Sequence, residues 1–509
     1  MRLWNGWGDE KDYSNIELSS SLKALLSGLL GSGKALPIIT LEKAISKIPE
    51  SKMPHHKLIS TSKEDRLRHT RGQSLSDWFS MHSGAIDCFT DGVAFPRSND
   101  EVKELLLFAS ENNINVIPYG GGTSVVGHIN PERHGKLNLT ISMANMTRLL
   151  DLDPISLLAR FQPGANGPQI ENQLNAEGFT LGHFPQSWEY STLGGWIASR
   201  SSGQQSLKYG RIENLFAGGK IVTPKGTLVI PTCPASSAGP DLCQFILGSE
   251  GRMGIITEAS VRISPLPKSE YFGAVFFPCW NSGMCAVRKI VQENVDLSMM
   301  RVSNSLETPS LMFMGGKSPE VINKLNSDLL SKGFQSEKVM LTFGLTGSSE
   351  RISKNMQDIC TEFNGFVDDS GLMSNWKHSR FRAPYLREFL GLLGYAVDTI
   401  ETAVDWKNVE KTMISIEENI RNALNDENEN VFVYSHLSHV YKQGSSIYTT
   451  YIFRLTASRR IPAPVIPPPI IMMSQSRLFP ERIDEINSLL FVKVAIKYCH
   501  FCVLVYRSS

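Results

Sequence analysis

Long hydrophobic runs, a charge imbalance and a cysteine framework are all missing from this chain. No segment reaches the roughly 18 apolar residues of a membrane-spanning helix. The 51 lysines and arginines are matched by 50 aspartates and glutamates, so the net charge of +1 gives no reason to expect a nucleic-acid partner. The eight cysteines are scattered, as is typical of reduced thiols, and the first residues have the pattern of neither a signal nor a transit peptide. We therefore expect a cytoplasmic protein without a membrane span.

The domain organisation follows from length and pattern. At 509 residues the chain exceeds what one hydrophobic core supports. Residues 1–80 are predicted to be a mostly helical N-terminal segment. Residues 81–265 and 266–456 each mix strand and helix patterns irregularly, so the predicted fold class is α+β. Residues 457–509 begin with a proline run that can continue neither a helix nor a sheet.

One stretch, "IPYGGGTSVVG" at residues 117–127, places three glycines directly after a strand-like run. Glycine loses more backbone entropy on ordering than any other residue, so three in a row weaken a strand unless something approaches the backbone closely. Bare amide groups without a neighbouring Cβ suit a phosphate. An ordinary glycine-rich turn explains this stretch alone equally well.

Four further segments combine glycines, hydroxyls and small residues. They are "HFPQSWEYSTLGGWIASRSSG" (183–203), "YGRIEN" (209–214), "AGPDL" (238–242) and "LGSEGRMGIITEASVRISP" (247–265). So many loops of this kind in one domain indicate a large, phosphate-bearing ligand such as a nucleotide. No strand is followed by G-x-G-x-x-G, which argues against a Rossmann site.

These motifs resemble a known family. Residues 87–265 look like the FAD-binding domain of the vanillyl-alcohol oxidase/p-cresol methylhydroxylase class. "WNGWGDE" at residues 4–10 and the stretch from "GHFPQSWEYSTLGGW" to "YGRIEN" are similar to the alkyldihydroxyacetonephosphate synthases of that class. The resemblance extends to about Leu455. It implies a PCMH-type FAD-binding domain of two α+β subdomains, plus an α+β cap domain that builds the substrate pocket.

The resemblance implies FAD as the cofactor and assigns residues to it by position. The pyrophosphate loop would be Ile117, Pro118, Tyr119, Gly120, Gly121, Gly122, Thr123 and Ser124. The flavin would be lined by Gln186, Ser187, Trp188, Glu189, Tyr190, Ser191 and Thr192, and by Ser199, Arg200, Ser201 and Ser202. Glu250, Gly251, Arg252, Met253, Gly254, Ile255 and Ile256 would complete the cradle. Gln186 departs from an acidic residue that is common in the eukaryotic synthases.

Three residues are carried over as catalytic. Arg387, in "RFRAPYLRE", matches an arginine that faces the substrate phosphate, and a guanidinium suits a phosphate or carboxylate through two parallel hydrogen bonds. Arg301 aligns with a second arginine of the synthases. Tyr448 matches the catalytic tyrosine, whose phenol can pass a proton if its surroundings tune its pKa. From the residues alone, a surface arginine and an ordinary strand tyrosine stay open as readings of Arg387 and Tyr448.

Other motifs are weaker. "GLLGSGKA" at residues 28–35 nearly matches a Walker A loop, but Ala35 replaces the Mg²⁺-binding hydroxyl and a helix C-terminus explains it better. His436 and His439, three apart in a strand, point to opposite faces, which disfavours a shared metal ion. "CHFC" at residues 499–502 lacks a second cysteine pair. No metal is therefore expected.

The end of the chain departs from the family. Family members continue past the tyrosine strand into a triple-histidine loop, and this chain contains no such triplet. The departure begins near Thr456. We hypothesise that residues 457–509 replace the family's C-terminus through a reading-frame change or an assembly error, a genuine diverged tail being the alternative. The other two frames of the downstream DNA test this, since absence of a histidine-rich segment from both would refute it.

The resemblance implies a transferase of ether-lipid synthesis that exchanges the acyl chain of acyl-dihydroxyacetone phosphate for a fatty alcohol. A small phosphate- or carboxylate-bearing substrate with a fatty chain, peripheral membrane contact and a homodimer are implied with it. One alternative is a FAD-dependent oxidoreductase acting on a 2-hydroxy acid such as glycolate or D-lactate, in which Arg387 would bind the carboxylate. Another is a flavin-binding remnant whose catalysis is impaired by the altered tail.

Overall fold

The computed structural model describes residues 2–13, 20–133, 135–314, 317–347 and 350–456. These residues form two compact units. The first unit comprises residues 2–13 and 37–266, and the second unit comprises residues 20–36 and those described after residue 266. The proline-rich segment 457–509 with its "CHFC" motif lies outside the described residues, so the hypothesis on the tail stays a hypothesis.

The helices are α1 (Ser20–Leu30), α2 (Leu41–Ser46), α3 (Lys63–Arg68), α4 (Leu75–Ser83), α5 (Asn99–Glu111), α6 (Gly167–Asn175), α7 (Leu193–Ser199), α8 (Ser206–Tyr209), α9 (Ile212–Leu215), α10 (Leu242–Ile246), α11 (Trp280–Gln292), α12 (Thr308–Met314), α13 (Pro319–Ser331), α14 (Glu350–Glu362), α15 (Trp376–Ser379), α16 (Leu386–Leu393) and α17 (Val409–Asn425). Short 3₁₀ helices cover Glu10–Asp12, Met143–Asn145, Ala383–Tyr385 and Trp406–Asn408. The strands are β1 (Ile59–Ser60), β2 (Gly92–Ala94), β3 (Asn115–Tyr119), β4 (Asn138–Ser142), β5 (Leu149–Asp153), β6 (Leu158–Phe161), β7 (Phe179–Thr180), β8 (Phe216–Thr223), β9 (Gly226–Ile230), β10 (Ile255–Arg262), β11 (Ser264–Pro265), β12 (Glu270–Phe277), β13 (Met299–Ser303), β14 (Val339–Thr346), β15 (Phe366–Val367), β16 (Tyr395–Asp405), β17 (Val431–Val440) and β18 (Gly444–Arg454).

The first unit contains two larger sheets. One has the order β1-β2-β4-β3, in which β2, β4 and β3 run parallel. The other has the order β5-β6-β10-β8-β9 and is antiparallel. Helix α5 shares one buried core with both sheets, through Val102 and Leu105 packed with Leu139 of β4 and Val222 of β8. The unit therefore consists of two α+β layers joined by this core.

Local signals explain the elements that flank the glycine loop. The Ser98 hydroxyl caps α5 by accepting from the Glu101 amide at 3.2 Å, and the apolar residues of α5 recur at helical spacing on its buried side. The stretch "FAGGKIVTPKGTLVI" forms the predicted hairpin, because Thr223 pairs with Gly226 across the "PKG" turn. The sequence predicts Ser98 or Asn99 as the cap of α5 and a hairpin that turns at "PKG"; the structure selects Ser98 and confirms the hairpin.

The second unit is built on one seven-stranded sheet with the order β15-β12-β14-β13-β17-β18-β16. All its pairings are antiparallel among the residues that the structure describes. Helices α1 and α16 pack through Leu26, Leu30 and Leu390 against Tyr395 and Ile452 of the sheet. This sheet carries Arg301 and Tyr448, and α16 carries Arg387, the third residue predicted to be catalytic.

The N-terminal region is divided between the units. Residues 2–13 and 37–80 belong to the first unit, whereas α1 belongs to the second. Helix α1 ends at Leu30, and Gly31 follows with φ +81°, a left-handed conformation that suits glycine at a helix end. The interpretation of "GLLGSGKA" as a helix C-terminus is thereby confirmed. The sequence did not indicate that this helix joins the second unit.

Candidate functional site

The glycine loop lies at the carboxyl edge of three parallel strands. Strand β3 ends at Tyr119, and the loop follows at once. The neighbouring parallel strand β4 ends at Ser142, which pairs with Tyr119. In open sheets of parallel strands, ligands bind outside the carboxyl ends, where loops diverge and backbone amides are exposed. The position of the loop is thus that of a ligand site.

None of the three glycines has room for a side chain. A Cβ on Gly120 would lie 2.3 Å from Oγ1 of Thr192, and one on Gly121 would lie 1.8 Å from the carbonyl oxygen of Tyr190. Gly122 has φ +70°, and its Cβ would lie 2.0 Å from the phenol oxygen of Tyr119. The loop is therefore packed tightly against the Tyr190 backbone, the Thr192 side chain and the Tyr119 ring.

The third predicted loop reaches the same place. A Cβ on Gly251 would lie 2.8 Å from Cγ of Pro118. The Glu250 amide donates to the Ala198 carbonyl at 2.9 Å, and the Gly248 amide donates to the Ile197 carbonyl at 3.1 Å. The predicted convergence of the three glycine-rich loops is confirmed. Which of their residues contact a cofactor stays a prediction.

Two features show that this cradle fits a polar ligand. The hydroxyl of Thr192 is buried without a hydrogen-bond partner, although it faces Gly120, so a ligand atom there would satisfy it. Arg200 and Glu250 are non-glycine residues with φ of 53° and 51°. This left-handed conformation is rare outside glycine and is found most often in functional loops. A tightly packed loop with an unsatisfied hydroxyl fits the phosphates of a dinucleotide.

Several predicted lining residues already have protein partners. Gln186 accepts from the Gln204 amide group at 2.9 Å. The Glu189 carbonyl accepts from Asn166 at 3.2 Å, and the hydroxyl of Ser201 lies 3.1 Å from Nε2 of His183. The side chains of Ile255 and Ile256 lie in the two apolar cores of the first unit. These two residues therefore have only their backbone atoms available to a ligand.

The remaining predicted cofactor residues are placed as follows. Ser187 turns the loop, its carbonyl accepting from the Tyr190 amide at 3.0 Å, and Trp188 covers Gly167, whose Cβ would lie 2.1 Å from the indole ring. Ser191 accepts from the Trp196 indole at 2.7 Å, and Ser199 donates to the Gly195 carbonyl at 2.8 Å. Thr123, Ser124, Ser202, Arg252, Met253 and Gly254 lie in the same loops, and Met253 is exposed.

One further residue at this site escaped the sequence analysis. Nδ1 of His128 lies 3.3 Å from the Ser124 hydroxyl. Burial lowers the pKa of His128, an effect that the Glu250 carboxylate opposes, so the imidazole is predominantly neutral at pH 7. The sequence signal that could have identified His128 is its position, four residues after Ser124 of the predicted pyrophosphate loop. In contrast, "AGPDL" is explained without a ligand, because the Asp241 carboxylate caps α10 through the amides of Cys243 and Gln244.

In the second unit, two of the predicted catalytic residues lie on strands that flank β17. Ser303 of β13 pairs with His436 of β17, and His436 pairs with Tyr448 of β18. The rings of His436 and Tyr448 are stacked, with centroids 4.9 Å apart. Nη2 of Arg301 lies 3.1 Å from Nδ1 of His436. The sheet register thus connects Arg301 to Tyr448 through a histidine that was considered only as a metal ligand.

A buried carboxylate completes what we call the charged cluster, Arg301, Glu307, His436 and Tyr448. Arg301 donates to Oε1 of Glu307, and the same oxygen lies 3.2 Å from Nδ1 of His436. Burial alone would raise the pKa of Glu307, but the Arg301 cation and the hydrogen bond with His436 outweigh it and lower the pKa to about 2. Glu307 is therefore ionised, and it fixes the guanidinium.

The same surroundings determine the protonation of the two rings. Burial and the Arg301 cation lower the pKa of His436, against the opposing effect of Glu307, so the imidazole is predominantly neutral at pH 7. Burial raises the pKa of the Tyr448 phenol, a hydrogen bond with Thr399 lowers it, and Glu401 raises it again. Tyr448 is consequently a protonated phenol at neutral pH.

Arg387, the third residue predicted to be catalytic, pairs with a carboxylate. It lies on α16, and its Nη2 is 3.2 Å from Oδ1 of Asp398. Burial raises the pKa of Asp398, which Arg387 opposes, and Asp398 in turn raises the pKa of Tyr448. Asp398 therefore connects the two predicted residues electrostatically. Among the described residues, no group of three or more His, Cys, Asp or Glu side chains is placed to hold a metal ion.

Two domain families match this chain. The FAD binding domain family matches residues 90–230, and the C-terminal domain family of FAD linked oxidases matches residues 266–461. A solved structure of p-cresol methylhydroxylase, 14% identical, shares the fold with a TM-score of 0.58 over 83% of this chain and 85% of that one. The chain is thus a FAD-binding protein with the fold of p-cresol methylhydroxylase, and the predicted α+β fold and FAD cofactor are confirmed.

Relatives with higher sequence identity define the family more narrowly. Alkyldihydroxyacetonephosphate synthase of Caenorhabditis elegans is 30% identical over 417 residues, which cover 78% of this chain and 69% of that protein. The synthase of Dictyostelium discoideum is 33% identical over 402 residues, covering 75% of this chain but only 64% of that protein's length. A solved synthase structure, 27% identical, has a TM-score of 0.79 over 89% of this chain and 92% of that one. The chain belongs to the alkyldihydroxyacetonephosphate synthase family. None of its described helices is both long and apolar enough to cross a membrane.

Proposed function

We propose that this protein exchanges the acyl chain of acyl-dihydroxyacetone phosphate for a fatty alcohol, forming an ether lipid and releasing a fatty acid. The relatives named above support this reaction. When bound, FAD supplies an electrophilic ring system that the amino acids lack. The protein's own residues bind the phosphate, orient the substrate and handle protons.

The observation that carries the proposal is the charged cluster. Its arginine is held in place by a buried, ionised glutamate. The guanidinium therefore does not have to reorient when a substrate binds. Beside it stands a buried phenol that holds its proton at neutral pH. A fixed cation next to a proton donor suits a phosphate-bearing substrate whose acyl group leaves as a carboxylate.

The roles follow from these protonation states. Arg387, paired with the buried Asp398, would bind the substrate phosphate, and Arg301 would orient it. Tyr448 would donate its proton as the carboxylate leaves and recover one from the incoming alcohol as the ether bond forms. Nδ1 of His436 lies 3.1 Å from Nη2 of Arg301 and 3.2 Å from Oε1 of Glu307, so the neutral imidazole is held by both groups while its ring stacks on the phenol. The net reaction conserves both protons and electrons.

Cellular context belongs to the same proposal. The six described cysteines are free thiols, which supports a reducing compartment such as the cytoplasm. A homodimer with peripheral membrane contact is proposed from the family resemblance and from the fatty chains of the substrates. Sedimentation of the purified protein and co-sedimentation with lipid vesicles test these two points.

Incubation of the purified, yellow protein with acyl-dihydroxyacetone phosphate and a radiolabelled fatty alcohol tests the reaction. We expect labelled ether lipid without lasting bleaching of the flavin absorbance. Removing the Tyr448 hydroxyl in Tyr448→Phe should lower kcat by about a hundredfold, because general acid–base catalysis contributes roughly 10²–10⁴-fold. Tyr271→Phe, which alters an exposed tyrosine of the same unit, is the matched control.

Two results would contradict the proposal. Anaerobic bleaching of the flavin by D-lactate or glycolate, without ether-lipid formation, would identify a 2-hydroxy-acid dehydrogenase. A protein that retains its flavin absorbance but is inert in both assays would be a flavin-binding remnant.

A further inference from the structure

The first described residues form a closed turn, which we call the N-terminal hairpin, residues 2–13. Arg2 and Asp9 meet in an antiparallel bridge, and the Leu3 amide donates to the Gly8 carbonyl at 3.0 Å. The hairpin contains the whole "WNGWGDE" motif through which the chain resembles the synthases. Neither the cradle nor the charged cluster described above uses this motif.

The hairpin is fixed to the first unit by polar contacts. Arg68 donates from Nη1 to the Arg2 carbonyl at 3.1 Å, and Gln73 donates from Nε2 to the Gly6 carbonyl at 3.3 Å. Trp7 is buried, with 6% of its surface exposed. The hairpin is therefore a docked part of the unit that contains the glycine loops.

What the hairpin holds is the ring of Tyr190. The Trp7 ring meets it edge to face, with centroids 5.2 Å apart and an interplanar angle of 84°. The guanidinium carbon of Arg2 lies 4.4 Å from the Tyr190 ring centroid, a cation–π distance. Tyr190 carries the carbonyl against which Gly121 is packed. The Tyr190 ring is thus held by the hairpin, while the Tyr190 carbonyl packs against the glycine loop.

Tyr119 provides a second connection to the same loop. Its hydroxyl donates to the Arg68 carbonyl at 3.3 Å and lies against Gly122. Burial raises the pKa of the Tyr119 phenol, and the nearby Arg2 cation opposes that shift. Arg2 therefore lies beside both tyrosines that flank the three glycines.

We propose that the N-terminal hairpin is part of the flavin site. Trp7 and Arg2 are positioning residues: they fix Tyr190 and thereby hold the backbone of Gly121 in the conformation that receives the pyrophosphate. The hairpin lies outside residues 90–230, which the FAD binding domain family matches. A loop ordered in advance binds more tightly, because binding then has less conformational entropy to remove. The inference rests on the FAD cofactor and is independent of the proposed reaction.

Titration of the flavin-free full chain with FAD, followed by flavin fluorescence, tests the inference. Trp7→Ala should raise the Kd for FAD about tenfold, since an edge-to-face aromatic pair is worth roughly a two- to tenfold change in an equilibrium constant and ordering of the loop is lost with it. Trp7→Phe keeps a ring against Tyr190 and should restore the Kd to within about twofold of the unaltered protein. Leu107→Ala, an exposed apolar position on α5 of the same unit, is the matched control and should leave the Kd unchanged.

A second variant separates positioning from general destabilisation. Arg2→Gln removes the cation from the Tyr190 ring without opening the core, so it tests the same connection if Trp7→Ala does not fold. In a Tyr190→Ala background, Trp7→Ala should weaken FAD binding no further, because the connection is already broken. The inference is overturned if Trp7→Ala and Arg2→Gln leave the Kd unchanged. It is also overturned if Trp7→Ala weakens binding equally with and without Tyr190.

Discussion

The glycine loops of the first unit and the charged cluster of the second unit differ in what carries their chemistry. In the loops, residues 120–122 have no side chains, and the Thr192 hydroxyl, the Tyr190 carbonyl and the Tyr119 phenol lie where a Cβ would be. In the cluster, side chains from β13, β17 and β18 meet a carboxylate from the residues after β13. The first site depends on the missing side chains of the glycines, and the second depends on the pairing of buried charges. Substitutions in the two sites should therefore affect different properties, flavin binding in the first and stability in the second.

The largest effect should come from filling a glycine. Gly121→Ala places a methyl group where the Tyr190 carbonyl now lies, and a clash with backbone cannot be relieved by a rotamer change. We expect FAD affinity to fall by more than about a hundredfold, because the loop must move away from its binding conformation. The ratio of flavin to protein absorbance after purification measures this.

Gly195→Ala is the matched control for this substitution. It lies on α7 beside the same loops, yet its Cβ would make only an ordinary contact of 3.4 Å with Thr192. Flavin content should stay at that of the unaltered protein. Equal flavin loss in both variants would show that the packing of Gly121 has no special role.

A smaller but distinct effect is expected from the charged cluster. Glu307→Gln leaves Arg301 without its counter-charge in a buried setting, which destabilises a protein by about 3 kcal/mol. Because the glycine loops belong to the other unit, flavin content should be unchanged. Urea unfolding and flavin absorbance of the same preparation separate the two sites.

Glu362→Gln serves as the control for the loss of a carboxylate. Glu362 pairs with Lys289 at the surface of the second unit, where solvent screens the charges. Its stability should match that of the unaltered protein. If Glu307→Gln were as stable as this control, the buried ion pair would not be the basis of the cluster.

The smallest effect concerns acid. The lowered pKa of Glu307 contributes stability that is complete above pH 4.5 and is lost as the pH falls towards 2. The lowered pKa of His436 contributes stability that is present above pH 6.5 and is lost as the pH falls below it. Between pH 7 and pH 5, His436→Phe should therefore lose less stability than the unaltered protein. Unfolding in urea at both pH values gives the difference.

The comparison between the two proteins removes other contributions. Burial also lowers the pKa values of His69 and His128 in the first unit, and both residues are present in either protein. Their effects cancel when the pH-dependent losses are subtracted. Identical losses in the two proteins would mean that His436 titrates as it does in the unfolded chain.

The parts of the fold that sequence reasoning anticipated depend on local signals. The serine cap and apolar spacing of α5, the turn between β8 and β9, and the glycines after β3 are each contained in a short segment. "AGPDL" shows the limit of such signals, because a helix cap and a ligand loop use the same small and polar residues.

Glu307 and Asp398 were missed for a different reason. Neither lies in a recognisable motif, and each gains its role from a partner: Glu307 from His436, about 130 positions along the chain, and Asp398 from Arg387 on the neighbouring helix. The register of an antiparallel sheet decides which strand residues meet, and a shift by one residue would turn Asp398 on β16 or His436 on β17 to the other face.

By itself, the sequence determined an α+β domain with glycine-rich loops, because glycine acts through what it lacks at its own position, and the family resemblance of those loops implied the flavin. The tertiary structure alone decided that those loops meet, that the N-terminal hairpin backs them through Tyr190, and that Arg301, Glu307, His436 and Tyr448 form one cluster. The physical reason is that burial, which sets the pKa values of these groups, depends on residues distant in sequence packing together.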